Sequence, residues 1–211
     1  GIYRKLSLSA AYSRAETDGW RQNRDVRNDL ADLFAQVSLS PRTSVQGEYR
    51  YRDEDAGDTT RRFEEEDFST SLRNDEQAKI YRLGLRHALR PDSDILVSAI
   101  YQDADYRQHR LIPTPPGVTA VSEMDTATDG YTAEAQHQLR RERFSLISGA
   151  GHFEADRKDV GTDAVTVSLP FPPFAVANEE RAVTRSDLRH SNLYLYSQTT
   201  FPEGVDWTLG A

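Results

Sequence analysis

Apolar and polar residues alternate along residues 33–52 in two runs around one tight turn. In the first run Leu33, Ala35, Val37 and Leu39 are apolar, with Gln36 and Ser38 between them. In the second, Val45, Gly47, Tyr49 and Tyr51 alternate with Gln46, Glu48, Arg50 and Arg52. A period of two is that of a strand with one apolar and one polar face. The intervening Ser40-Pro41-Arg42-Thr43-Ser44 predicts an antiparallel hairpin. Matching apolar with apolar sets Leu39 opposite Val45, Val37 opposite Gly47, Ala35 opposite Tyr49 and Leu33 opposite Tyr51. The same register places Gln36 beside Glu48 and Asp32 beside Arg52.

The pattern recurs along the chain. Leu6, Leu8, Ala10 and Tyr12 mark a strand over residues 3–15, and Tyr81, Leu83, Leu85, His87 and Leu89 mark one over 78–89. Ile95, Val97, Ala99 and Tyr101 mark the next, and Tyr131, Ala133, Ala135, His137 and Leu139 another. A Gly-rich strand of ambiguous facing starts at Phe144, and two more start near Asn192 and Val205. Pairing Leu139 near Phe144 would set Tyr131 opposite His152. The total is about nine strands. Short turns are predicted near residues 41, 91, 141 and 203, and long loops over 16–28, 53–77, 105–129 and 155–187. In an up-and-down meander, every short turn then lies at one end and every long loop at the other. An outer-membrane barrel sorts its connections in this way, whereas a soluble sandwich has no reason to. The predicted fold is therefore all-β: an antiparallel meander of long strands forming a segment of a transmembrane β-barrel, with residues 1–211 as one unit.

The apolar face is rich in small residues such as Ala10, Ala35, Ala99, Ala133 and Ala135. A packed core favours larger side chains, whereas lipid fills around small ones. Leu83 and Leu85 are expected to face lipid. Tyr12, Tyr51, Tyr101 and Tyr131 fall at the long-loop ends of their strands, where an interfacial aromatic belt belongs.

Composition narrows the classes. Mean hydropathy is −0.71, and no run of 18 apolar residues exists, so transmembrane helices are excluded. Barrels escape that test because only alternate residues face lipid. A net charge of −8 disfavours nucleic acid as a partner. The chain has no Cys, hence no disulfide, thiolate metal site or Cys nucleophile. It begins without an apolar signal core and ends on a strand-like VDWTLGA. It is expected to be a piece of something longer. Single-chain bacterial barrels use even strand numbers. With nine strands, the sheet is expected to stay open, its edges near residues 6–12 and 205–209 unpartnered.

The stretches LFAQVSLSPRTSVQGEYRYRDEDAGD (33–58) and YRLGLRHALRPDSDILVSAIYQDAD (81–105) resemble the barrel portion of large bacterial proteins that join tetratricopeptide repeats to an outer-membrane β-barrel. Those barrels are similar to TonB-dependent receptors. The resemblance is good over residues 30–105 and extends to the rest by pattern. It implies outer-membrane lipid, further barrel strands or subunits, and periplasmic repeat domains as partners.

Candidate chemistry is sparse. Asp32, Glu48, Arg50, Arg52, Arg82, Arg86 and Glu134 are expected to line the lumen. They fit a charge-selective pore, but fit better a wet wall of cross-strand ion pairs, each worth about 0–1 kcal/mol. The acidic runs Asp53-Glu54-Asp55 and Glu64-Glu65-Glu66-Asp67 lack EF-hand spacing and read as solvated loop rather than a Ca²⁺ site. The five histidines form no HxxxH or HExxH pair, and no nucleophile elbow, Walker loop or dinucleotide fingerprint occurs. No enzymatic activity, metal or cofactor is expected. The Pro-rich SLPFPPF (168–174) fits a partner contact, a lumen constriction or simple loop packing. The expected role is a passive conduit or receptor wall for a solute or polymer. The alternatives are an anchor for periplasmic repeat domains in an export assembly, and a soluble all-β carbohydrate-binding module.

Overall fold

The computed structural model describes residues 2–3, 5–60, 68–170, 173–202 and 204–210. The chain forms one antiparallel sheet: β1 (Ile2–Tyr3), β2 (Leu6–Thr17), β3 (Val26–Ser40), β4 (Thr43–Ala56), β5 (Arg73–Arg90), β6 (Ser93–Ile112), β7 (Val118–Arg141), β8 (Phe144–Pro170), β9 (Pro173–Thr200) and β10 (Asp206–Gly210). Sheet order equals chain order. Nine of these are the expected meander, and the two-residue β1 folds back on Leu6 and Ser7. Among the described residues β10 pairs only with β9, so the sheet is open, as expected from nine meander strands.

Among the described residues no core is enclosed. Ala56 and Ala120 are the only buried hydrophobic residues described, at 4% and 7% exposure. What holds the chain is the ladder of backbone hydrogen bonds, which satisfies every central strand on both edges.

The register differs from expectation by two residues. Val37 pairs with Val45, not Gly47, and Ala35 pairs with Gly47. Gln36 meets Gln46 instead of Glu48, and Asp32 meets Arg50 instead of Arg52. The cause is a shorter turn. Ser40 already pairs with Thr43 across Pro41-Arg42, and the ladder slips between Ser38 and Ser40. Pro41 supplies the fixed φ of a two-residue turn, and the Ser40 hydroxyl accepts from Arg42 N at 3.2 Å. A slip of two leaves every side chain on its expected face. The same correction applies at β7–β8, where Tyr131 pairs with Glu154 and Leu139 with Leu146.

Two of the four long loops are mostly strand. Residues 105–129 form the ends of β6 and β7 joined over 113–117, and 155–187 continue β8 and β9. The loop after β2 shrinks to 18–25. Asp53, Glu54 and Asp55 lie within β4, while the run 64–67, Phe171 and Pro172 lie outside the described residues. Strand lengths rise from 12 residues in β2 to 28 in β9, against the 9–11 or so that a membrane crossing takes. These extensions carry polar residues on both faces, so they show no period of two. Ladder hydrogen bonds and cross-strand pairs keep them extended. One such bond is Thr126 Oγ1 to Asp159 at 2.6 Å, and one such ion pair is Arg107 with Asp125 at 3.0 Å.

A compact latch joins the β2–β3 and β4–β5 connections. Asn23, at φ 55°, donates through Nδ2 to the carbonyls of Ser69 (2.7 Å) and Leu72 (2.9 Å). Its own carbonyl accepts from Asp58 N at 2.6 Å. The fully buried Asp58 carboxylate accepts from Ser69 N at 2.8 Å. Arg21 lies over the rings of Trp20 and Phe68 and donates to the carbonyls of Asp58 and Thr60. Gly57 packs so close to the Asn23 carbonyl that a Cβ would collide with it. Arg73 closes the latch on Asp25 (2.7 Å) and Asp55.

The Arg73 guanidinium holds the Asp25 carboxyl below its ordinary value of 3.8. A depressed carboxyl stabilises above its unfolded pKa and loses that contribution as pH falls through the folded value. Protection of the Gly57, Asp58 and Ser69 amides against hydrogen exchange is therefore expected to hold at pH 5 and to weaken only below about pH 3.8. Arg73→Leu should lower that protection about five-fold at pH 5, since a half-exposed pair is worth no more than about 1 kcal/mol. Unchanged protection in the variant would show that the pair contributes nothing.

Candidate functional site

The candidate site is the sheet itself, whose two faces differ over one band of height. Successive registers bring Tyr49, Tyr81, Tyr101 and Tyr131 into a single row across β4 to β7. Ring centroids are 5.0 Å apart for Tyr49–Tyr81 and 6.2 Å for Tyr81–Tyr101. Two of the expected belt residues, Tyr101 and Tyr131, are in this row. Tyr12 and Tyr51 share the next row on that face, two residues farther from the short turns, each level with Ala31. Tyr49 and Tyr81 are not singled out by the sequence pattern, although they occupy apolar-face positions in the alternation. Their alignment depends on the register.

From the tyrosine row toward the short turns, the same face is apolar. It carries Leu83, Ala99 and Ala133 in one row, then Val37, Val45, Leu85, Val97 and Ala135, then Leu139, Leu146 and Leu209. His87, His137 and His152 interrupt it, each with a ring nitrogen engaged by a hydroxyl: Thr43 at 2.9 Å, Ser93 at 2.8 Å and Ser191 at 2.7 Å. Phe144 and Trp207 share a row at the short-turn end, both level with Thr199. That row is ten residues below the tyrosines, counted from Tyr131 to Arg141, the partner of Phe144. The band is thus about 33 Å along the strands. In the row of Tyr12 and Tyr51 the face already turns charged over β5 to β9, with Lys79, Asp103, Asp129, Asp156 and Asp187.

Exposure is inverted relative to a soluble sheet. In β5, Tyr81, Leu83 and Leu85 are exposed, whereas Ile80, Arg82 and Gly84 between them are partly sheltered. In β7, Tyr131, Ala133 and Ala135 are exposed, and Thr132, Glu134 and Gln136 are the sheltered ones. Leu83 is 64% exposed and Leu193 is 84% exposed.

The other face carries the charged residues picked out in the sequence, and each has a partner. Arg50 lies 2.6 Å from Asp32 and 3.7 Å from Glu48. Arg82 reaches Glu48 at 3.2 Å. Arg52 bonds Glu54 at 2.5 Å and reaches Glu76 at 3.5 Å. Arg86 is 2.9 Å from Asp94. Glu134 accepts from the Tyr194 hydroxyl. The face is not wholly polar: Phe34, Ile100 and Phe153 share the row of Glu48 and Arg82. Among the described residues no three His, Asp or Glu side chains are grouped to hold a metal ion.

No family model matches the chain, and no curated protein matches it. Solved structures do. The ferric citrate transporter FecA in its unliganded form superposes with a TM-score of 0.53 at 11% identity, over 98% of this chain and 35% of that one. FpvA of P. aeruginosa, solved bound to heterologous pyoverdines, gives 0.59 at 10% identity, over 94% and 37%. The siderophore receptor PiuA from Acinetobacter baumannii gives 0.58 at 8% identity, over 97% and 41%. The chain spans less than half the length of each. Together with the open meander and its inverted exposure, these likenesses give the chain the fold of an arc of an outer-membrane β-barrel wall.

Proposed function

We propose that this chain is part of the wall of an outer-membrane β-barrel that provides passage for a solute or polymer and carries out no chemistry of its own. The observation that carries this reading is the inverted exposure. An apolar face bare to its surroundings, beside a polar face that is sheltered, suits a sheet with lipid outside and water inside. The band fits as well. About 33 Å along strands tilted by 35–45° gives a height near 25 Å, the apolar girdle of such barrels. Tyrosines bound it on one side, and Phe144 and Trp207 on the other, as interfacial aromatics do. The strand extensions then stand clear of the membrane on the tyrosine side. Closing the wall requires further strands, because an open edge in lipid leaves backbone groups unsatisfied.

The lumen-facing set is then Asp32, Glu48, Arg50, Arg52, Arg82, Arg86 and Glu134, acting as a paired wall more than as a charge filter. Tyr12, Tyr51, Tyr101, Tyr131, Leu83 and Leu85 face lipid or its interface. A second reading, a barrel that anchors periplasmic repeat domains for export, is favoured by the resemblance of residues 33–58 and 81–105 to such barrels. Tetratricopeptide repeats upstream of this segment in the full protein would support it, and a plug domain there would instead favour uptake.

Leu85 and Arg86 test the facing directly, because they are adjacent but point to opposite faces. Leu85→Arg places a charge near the middle of the band, at a cost of about 2–4 kcal/mol. Arg86→Leu removes half of a partly exposed ion pair on the wet face. In the full protein, heat-modifiable barrel recovered from outer membranes should fall severalfold for Leu85→Arg and little for Arg86→Leu. Equal assembly of the two variants would contradict the assignment.

A further inference from the structure

The sheltered face is not uniform along its height. Beside the upper part of the apolar band it is a lattice of ion pairs. Nearer the short turns it becomes a strip of amides, hydroxyls and phenols. One row brings together Gln36, Gln46, Ser98, Glu134 and Asn192, and the next Ser38, Ser44, Arg86, Gln136 and Tyr194. Gln138 and Tyr196 follow on the same face. On β3 to β9 the charged groups at this level are already engaged: Arg86 with Asp94, and Glu134 with the Tyr194 hydroxyl. The side chains of Gln36, Gln46, Ser98 and Asn192 make no hydrogen bond among the described residues. Part of the strip forms a groove of about 410 Å³ whose polar lining is Gln36, Ser44, Gln46, Ser98, Glu134 and Gln136, with Arg86 and the apolar Leu96 also on its wall.

Two close approaches shape its floor. Gln46 lies across Gly84, where a Cβ would press on its Cγ and Nε2. The Tyr194 ring lies against Gly149, where any Cβ would overlap the phenol. Its hydroxyl also accepts from Gln136 Nε2 at 3.1 Å, which fixes the ring, and the Tyr196 ring follows with centroids 5.8 Å apart.

We propose that this strip is a binding track for a neutral carbohydrate chain. The inference rests on the barrel-wall reading above. Each free amide offers one acceptor and two donors, the set that a ring of hydroxyls requires. Tyr194 and Tyr196 offer aromatic faces to the C–H faces of pyranose rings. An anionic ligand would find no unpaired cation on β3 to β9 at this level, because Arg86 is held by Asp94. The track lies beside the apolar band, so a chain bound there would be inside the membrane-crossing part of the conduit.

The test uses the full protein in detergent micelles, with neutral hexaoses of glucan, xylan and mannan as probes and oligogalacturonate of equal length as the charged comparison. Saturation-transfer NMR reads binding, and heat-modifiability of the same sample reads barrel assembly. At least one neutral hexaose is expected to bind, at least ten-fold more tightly than oligogalacturonate. The double variant Gln46→Leu, Gln136→Leu should lose at least ten-fold in affinity while still assembling. Lys158→Gln, on the opposite face above the band, should bind as the parent does. An assembled barrel that binds no neutral hexaose, or binds the charged one equally well, overturns the track and leaves the wall reading standing. Binding that survives in the double variant also overturns the track. A protein that never forms a heat-modifiable barrel overturns both.

Discussion

The backbone ladder is the interaction on which everything else in this chain depends. With almost no buried apolar side chain described, the sheet has no core to hold it. Each strand from β2 to β9 is fixed by its two neighbours, and the ladder runs from β1 to β10. Such a sheet is unsatisfactory in water, where its bare leucines, valines and tyrosines would seek cover. In lipid that same face is solvated, and satisfied backbone groups become the condition for crossing at all.

That constraint orders the side chains. Opposite the apolar face, the sheltered face holds the polar residues, and it does so with partners: Asp32 with Arg50, and Glu48 with Arg82. Where the apolar face turns charged beyond the tyrosine row, that division lifts. The strands continue there as polar ribbons and are tied by the Asn23–Asp58–Arg73 latch at the shorter hairpins. The tyrosine row marks the change because a phenol suits a boundary, its ring apolar and its hydroxyl wet. Tyr131 donates to Glu154 at 2.9 Å just there.

Much of this was legible in the sequence. The alternation through Leu33, Ala35 and Val37, and through Tyr81, Leu83 and Leu85, identified strands and assigned their faces. The register was not legible, because a two-residue slip preserves every facing and only the turn at Pro41-Arg42 decides it. The partner of Asp32 accordingly lies two positions from the one the alternation predicts. The long extensions of β6 to β9 look like loops in the sequence because polar residues on both faces leave no period to detect. The amide strip left a trace in Gln36, Gln46, Gln136 and Gln138, all at polar-face positions, but their convergence needs the register. Tyr49 and Tyr81 were hidden for the same reason.

The chain's two tryptophans mark the band and the ground outside it. Trp207 lies in the Phe144 row, and Trp20 lies in the latch beside Arg21 and Arg24. The most direct measurement is fluorescence quenching by brominated lipids after reconstitution, using Trp20→Phe and Trp207→Phe to isolate each residue. If the apolar band faces lipid, Trp207 is quenched, most strongly by bromines near the interface, and Trp20 is not. Equal quenching of the two, or none at Trp207, would contradict a lipid-facing band.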